Sequence, residues 1–160
     1  MEYLFSPWRK TYLDRDRTHE DCAFCSALEL PDSPQNLIVH RGEKAFVILN
    51  LFPYTSGHLM SVPYDHCEDL TQLNPQTLLE MMQLAQKAVS VLQGLYHPQG
   101  FNLGMNLGAV AGAGIAQHLH LHVVPRWGGD ANFMSVIGET RVLPETLAET
   151  YARIRQAWEG

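Results

Sequence analysis

Apolar and polar positions switch between two periods along the chain, and the switches mark out its elements. Leu37–His40 is a short β-branched run, closed by the turn Arg41-Gly42-Glu43. Lys44–Leu49 (KAFVIL) is apolar and compact, the pattern of a buried strand. Pro53-Tyr54-Thr55-Ser56-Gly57 breaks it, and His58–Pro63 (HLMSVP) reads as the next strand. Strand–turn–strand order predicts an antiparallel sheet. The period then changes. Asn74 is a good N-cap and Pro75 suits a first helical position. Leu78, Met82, Ala85, Val89, Leu92 and Tyr96 follow at spacings of four and three. That stripe predicts a core-facing amphipathic helix of about six turns, ended by His97-Pro98-Gln99-Gly100.

Beyond the helix, Phe101–Leu107 alternates as a strand, and Ala109–Ala116 is a loop of small residues. Leu119–Pro125 is a strand again, and Arg126–Asn132 a loop. Pro144 opens a final helix, residues 144–160, with Leu147, Tyr151, Ile154 and Trp158 on one face. Its early Glu145 and Glu149 and late Arg153 and Arg155 suit the helix dipole. The first 35 residues read as irregular, and residues 1–20 as an N-terminal extension. Strands and helices mix without βαβ alternation. The expected class is α+β, with an antiparallel sheet of about five strands, one long helix and a C-terminal helix.

Composition narrows the function more than the fold. The 160 residues, 46% apolar and 18% charged, describe an ordinary globular chain of one domain. No run reaches the roughly 18–20 apolar residues of a membrane span. The N-terminus lacks the apolar region of a secretory signal, so the expected location is the cytoplasm. Eleven Lys+Arg against 17 Asp+Glu give a net charge of −6, which argues against nucleic acid as a partner. A small anionic substrate at a local site is compatible with that charge.

Candidate chemistry sits in two places. Cys22-x-x-Cys25 is either half a zinc site or a redox pair; with Cys67 the count of cysteines is odd, which does not suggest a disulfide framework. His118, His120 and His122 alternate, so on a strand they share one face, with neighbours roughly 7 Å apart. Leu119, Leu121 and Val123 take the opposite face, toward the core. Three alternating histidines point to metal ligation or to catalysis. Upstream, Gly108-Ala109-Val110-Ala111-Gly112-Ala113-Gly114 offers small residues whose backbone N–H groups can approach a phosphate. Downstream, Arg126 is a candidate phosphate-binding cation. Anion-binding amides beside histidines favour catalysis at phosphorus.

His118-Leu119-His120-Leu121-His122-Val123-Val124 resembles the signature of the histidine triad (HIT) family of nucleotide hydrolases and transferases, His-φ-His-φ-His-φ-φ with φ apolar. Asn50 and Gly57-His58 match a second family feature, and the resemblance runs from about Cys22 to Arg126. Asn50–Tyr54 and Pro125–Phe133 are most similar to the branch that contains diadenosine tetraphosphate phosphorylases.

The resemblance implies a nucleophile at His120 that attacks an α-phosphorus and becomes a nucleotidyl-histidine, with no metal needed for the attack. His118, His122 and His58 complete the catalytic group. It implies Asn50 as the ribose contact, Ile48 and Phe24 as walls of a base pocket, and Asn106, Gly112, Gly114 and Arg126 as phosphate-side contacts. The family often has a Gln four residues before the triad, where this chain has Gly114. It further implies a structural zinc on Cys22, Cys25, His66 and His118, and a homodimer paired through the long helix and an adjacent strand. Alternatives of other classes are a nucleoside phosphoramidate or adenylyl-sulfate hydrolase, a nucleotide-binding module without significant turnover, and a metalloenzyme that uses all three histidines as ligands.

Overall fold

The computed structural model describes residues 22–130 and 144–160. The N-terminal extension, with Trp8, Arg9 and Lys10, lies outside the described residues, as does the end of the phosphorylase-like segment, Ala131-Asn132-Phe133. Three α-helices and five strands are described: α1 (Ala23–Leu28), β1 (Ile38–Arg41), β2 (Ala45–Leu49), β3 (Leu59–Pro63), α2 (Pro75–Tyr96), β4 (Gly100–Gly104), β5 (Leu121–Arg126) and α3 (Leu147–Glu159). A 3₁₀ turn at Ala109–Ala111 lies between β4 and β5. The strands form one antiparallel sheet in the order β1-β2-β3-β5-β4. The α+β class and the five strands of the sequence reading stand.

Strands β2 and β3 form where expected because their apolar runs are buried outright, whereas β4, expected over Phe101–Leu107, is Gly100–Gly104 and largely exposed. Every residue of β2 and β3 is buried. Helix α2 packs across β2, β3 and β5. Asn74 caps it by accepting from the Gln76 N–H, with Pro75 at the first helical position. His97, in the left-handed conformation, ends it. Gly57 sits under this helix for two reasons. Its φ is +77°, and an added Cβ would lie 2.8 Å from Leu92 Cδ2.

Three expectations are corrected. The buried residues of α2 are Thr77, Met81, Leu84, Ala85, Ala88 and Leu92, whereas Met82 is 53% exposed. The helix is apolar on more than one side, so several stripes fit the same sequence and packing selects one. A helix, α1, stands in the segment read as irregular; Phe24 and Ala27 hold it in the core without a side-chain cap. The last helix begins at Leu147 rather than Pro144, because Thr146 and Glu149 form a reciprocal capping box there.

Helix α3 packs on α2 and on the edge strand β1. At that junction the His40 ring stacks on Trp158, with centroids 5.4 Å apart, and Lys87 lies over the same indole. Burial, then the positive charges of Lys87 on α2 and Arg155 on α3, hold His40 below its ordinary value, against the opposing pull of Glu80 and Asp32. A histidine with a depressed folded pKa binds fewer protons folded than unfolded. Stability is therefore full above about pH 6.5 and falls as the pH drops toward the folded value. Urea unfolding at pH 7.5 and pH 5.5 will show a loss for the wild type and a smaller loss for His40→Gln. An equal loss in both proteins assigns the pH dependence elsewhere.

Candidate active site and metal cluster

The site grows from one row across the sheet. Ile48 pairs with Met60, Met60 with His122 and His122 with Gly104. Alternation puts these residues on one face, with Leu121 and Val123 on the other. Only His122 of the three alternating histidines lies within β5, since the strand starts at Leu121 rather than Leu119. Just before it, the Leu119 N–H donates to the carbonyl of Cys67, 2.8 Å away, in the segment that follows β3. The lead-in thus leaves the β3 ladder, and His118 and His120 are set by contacts outside it. All three histidines are buried, at 0%, 5% and 9% exposure.

Each ring does something different, and the fixed donors reveal its tautomer. A neutral imidazole has one donor and one acceptor nitrogen. Nδ1 of His120 lies 2.8 Å from the His118 carbonyl, so Nδ1–H donates there and Nε2 keeps its lone pair. Burial lowers the His120 pKa, opposed by that backbone bond. The ring is thus a neutral imidazole with its nucleophilic nitrogen directed away from the backbone.

His122 is set through a relay. The Tyr54 N–H donates to His58 Nδ1 over 3.1 Å, and Asn50 Nδ2 lies 3.3 Å from the same nitrogen. His58 Nδ1 is therefore an acceptor and its proton sits on Nε2. Nε2–H donates to His122 Nδ1 over 2.9 Å. The His122 proton is thereby placed on Nε2, as a donor toward whatever binds beside His120. The His120 and His122 rings are 4.8 Å apart, edge to face. This pairs a lone-pair nitrogen with an N–H donor, the complement an attacked phosphoryl group requires.

His118 turns the other way. Its Nε2–H donates to the Pro63 carbonyl over 2.9 Å. Its Nδ1 faces Cys22 Sγ at 3.4 Å and Cys25 Sγ at 3.7 Å. His66 Nδ1 lies 3.3 Å from Cys25 Sγ. The four donor atoms all fall within 4.8 Å of one another. Tetrahedral zinc with two sulfur and two nitrogen ligands sets its ligand atoms about 3.3–3.8 Å apart, so the residues present fit that ion. Burial, then the neighbouring Cys22, push the Cys25 thiol up to about 11. A bound divalent cation would displace such protons.

The remaining residues named from sequence are spread around this centre. Phe24 is 3% exposed, with its ring 5.3 Å from His118 and 5.2 Å from His120. Ile48 is buried in the same row as His122. Asn50 Oδ1 accepts the Phe52 N–H, which ties this side chain to the loop as well as to His58. Asn106 Nδ2 donates to the Gly112 carbonyl at 3.5 Å. The N–H groups of Ala111, Gly112 and Ala113 bond to carbonyls within the loop itself. Gly112, with φ +93°, thus shapes the turn, and Gly114 is half-buried on the path into the triad. Arg126 ends β5 four residues past His122. Its guanidinium is engaged by Asp130, at 2.6 and 2.8 Å, and by Asn102 at 2.7 Å. A phosphate there would have to displace a carboxylate.

Two atoms that set the site escaped the sequence reading, the Tyr54 N–H and the Pro63 carbonyl. Both are backbone groups, which carry no residue signal.

Comparison with known proteins agrees with this geometry. The HIT-domain family model matches residues 32–129. The chain belongs to the HIT family. It is 40% identical to the Mycobacterium tuberculosis AP-4-A phosphorylase over 165 aligned positions, covering 99% of this chain and 85% of that protein. A Zn-bound histidine triad protein of Mycobacterium smegmatis superposes with a TM-score of 0.69 at 30% identity, over 88% of this chain and 94% of that one. A hypothetical histidine triad nucleotide-binding protein of Sulfolobus tokodaii gives 0.68 at 27% identity, over 86% and 92%. Among the described residues no helix is long and apolar enough to cross a membrane.

Proposed function

We propose that this HIT enzyme cleaves diadenosine tetraphosphate by phosphorolysis through a nucleotidyl-histidine at His120. The observation that carries the reading is the bond from His120 Nδ1–H to the His118 carbonyl, which leaves Nε2 as the lone-pair nitrogen of a buried, neutral ring. The 40% identity to an AP-4-A phosphorylase supports the substrate. In the first step His120 Nε2 attacks the α-phosphorus, the P–N bond forms, and the P–O bond to the leaving ATP breaks. The His122 Nε2–H, oriented by His58 and the Tyr54 amide, donates to the phosphoryl oxygen as charge gathers there. In the second step a phosphate oxygen attacks the same phosphorus, the P–N bond breaks, and ADP leaves with His120 restored.

Zinc held by Cys22, Cys25, His66 and His118 would fix the segment that precedes the triad. Its role is structural, because none of these four residues presents the attacking nitrogen. The exposed side chains of Leu79 and Met82 on α2, and the exposed end of the edge strand β4, support a homodimer paired through these elements. A reducing, cytoplasmic setting suits three free thiols.

The acceptor is tested directly. With phosphate present, diadenosine tetraphosphate should yield ADP and ATP faster than it yields AMP and ATP in water alone, because a bound phosphate outcompetes water for one intermediate. Nucleotides separated after incubation with and without phosphate decide it. An unchanged rate and an unchanged AMP yield make the enzyme a hydrolase.

A further inference from the structure

We propose that Phe24 is a positioning residue for the nucleophile: packed against the His120 ring, it fixes the line along which Nε2 attacks. The inference rests on the phosphoanhydride reading above and takes the place of the base-pocket role that the family resemblance implies for Phe24.

Phe24 is poorly suited to hold a base and well placed to hold a ring. It is 3% exposed, too little to offer a nucleobase a stacking face. Its ring centroid lies 5.2 Å from that of His120, tilted by 53°, and 5.3 Å from that of His118, edge to face at 76°. Both are distances of aromatic rings in packing contact. One phenyl ring thus touches the nucleophile and the residue whose carbonyl accepts the nucleophile's proton.

The geometry of His120 makes that contact matter. The bond from Nδ1–H to the His118 carbonyl, at 2.8 Å, pins one end of the imidazole. About that bond the ring can still swing, and Nε2, across the ring, moves with it. The His122 ring meets His120 edge to face, 4.8 Å away. Phe24 adds a neighbour made of carbon alone, which restricts the swing without competing for either ring nitrogen. Alignment is costly to lose in such a displacement, where a misplacement of about 1 Å can cost roughly a hundredfold in rate.

Phe24 is held in place by its neighbours in the chain. Helix α1 has six residues and no side-chain cap, too short to stand on helix propensity. Phe24 lies between Cys22 and Cys25, whose sulfurs are 3.4 and 3.7 Å from His118 Nδ1. The turn of chain that brings two thiols to the His118 ring therefore brings Phe24 to His120.

The test is Phe24→Leu, which keeps an apolar side chain in the core and removes the flat ring. With diadenosine tetraphosphate and phosphate, kcat should fall at least about tenfold while KM stays within about twofold, the pattern of an interaction that counts in the transition state. Phe24→Ala leaves a larger gap and should lower kcat further in protein that circular dichroism shows to be folded; Phe24→Leu decides the matter if it is not. A second readout needs no turnover. In protein labelled with nitrogen-15 histidine, the His120 resonances, assigned by their loss in His120→Ala, should show the proton on Nδ1 in the wild type and averaging between the two tautomers in Phe24→Leu. A raised KM with unchanged kcat makes Phe24 a base wall and overturns the proposal. So does a lowered Tm with both kinetic constants and the tautomer unchanged. A wild-type protein that does not cleave the substrate overturns the functional reading, and the nitrogen spectrum then decides separately whether Phe24 holds the ring, an unchanged tautomer in Phe24→Leu overturning that as well.

Discussion

His120→Ala will lose turnover of diadenosine tetraphosphate by at least about a thousandfold while it still binds nucleotide. On the proposed mechanism His120 supplies the nucleophile, an interaction made only as the P–N bond forms. Removing such a group lowers kcat and kcat/KM together and leaves ground-state affinity nearly unchanged. The rest of the site does not depend on this side chain. His122 takes its proton position from His58, and His58 takes its own from the Tyr54 amide. The His118 ring faces the cysteines. The measurements are steady-state rates and the dissociation constant of a non-cleavable dinucleotide analogue, with circular dichroism to confirm the fold. A variant that retains a tenth of the wild-type rate would remove His120 from the role of nucleophile.

Loss of the metal cluster should act on stability. Cys25→Ser is the informative variant, because Cys25 is half-exposed and leaves His118 and its carbonyl in place beneath His120. The four donors come from the N-cap and first turn of α1, from the segment after β3 and from the lead-in to β5. A shared ion would cross-link three stretches that are remote in sequence. Structural zinc contributes roughly 10–16 kcal/mol of apparent binding free energy in minimal domains, where it replaces a core. This chain has its own core, so a smaller share is expected. About 4 kcal/mol, at roughly 2–4 °C per kcal/mol for a chain of this size, lowers Tm by about 10 °C. Elemental analysis should find one zinc per wild-type chain and almost none in Cys25→Ser. A wild-type protein without zinc, together with an unchanged Tm for the variant, would discard the site.

What the sequence could express was local. The strand runs 44–49 and 58–63, the Asn74-Pro75 helix start and the alternation through Val124 each depend on near neighbours in the chain, and each appears within a residue or two of its expected place. Cys22-x-x-Cys25 was legible as half a cluster, and the family resemblance supplied His66 and His118. What was not local was not legible. The buried face of α2 could be chosen only by what packs on it, since Leu78, Met81, Met82, Leu84 and Val89 are all apolar.

The three histidines mark the same boundary. Their identity and spacing predicted one shared face and either metal ligation or catalysis, and the glycine loop beside them pointed to phosphorus. Their division of labour came from partners distant in sequence: Pro63 and the two cysteines for His118, His58 for His122, and a loop carbonyl at Cys67 that drew the lead-in off the strand ladder. An imidazole can donate or accept at either nitrogen with nearly equal ease, so its sequence position fixes where the ring sits, and only the donors and acceptors brought around it by the fold fix what the ring can do.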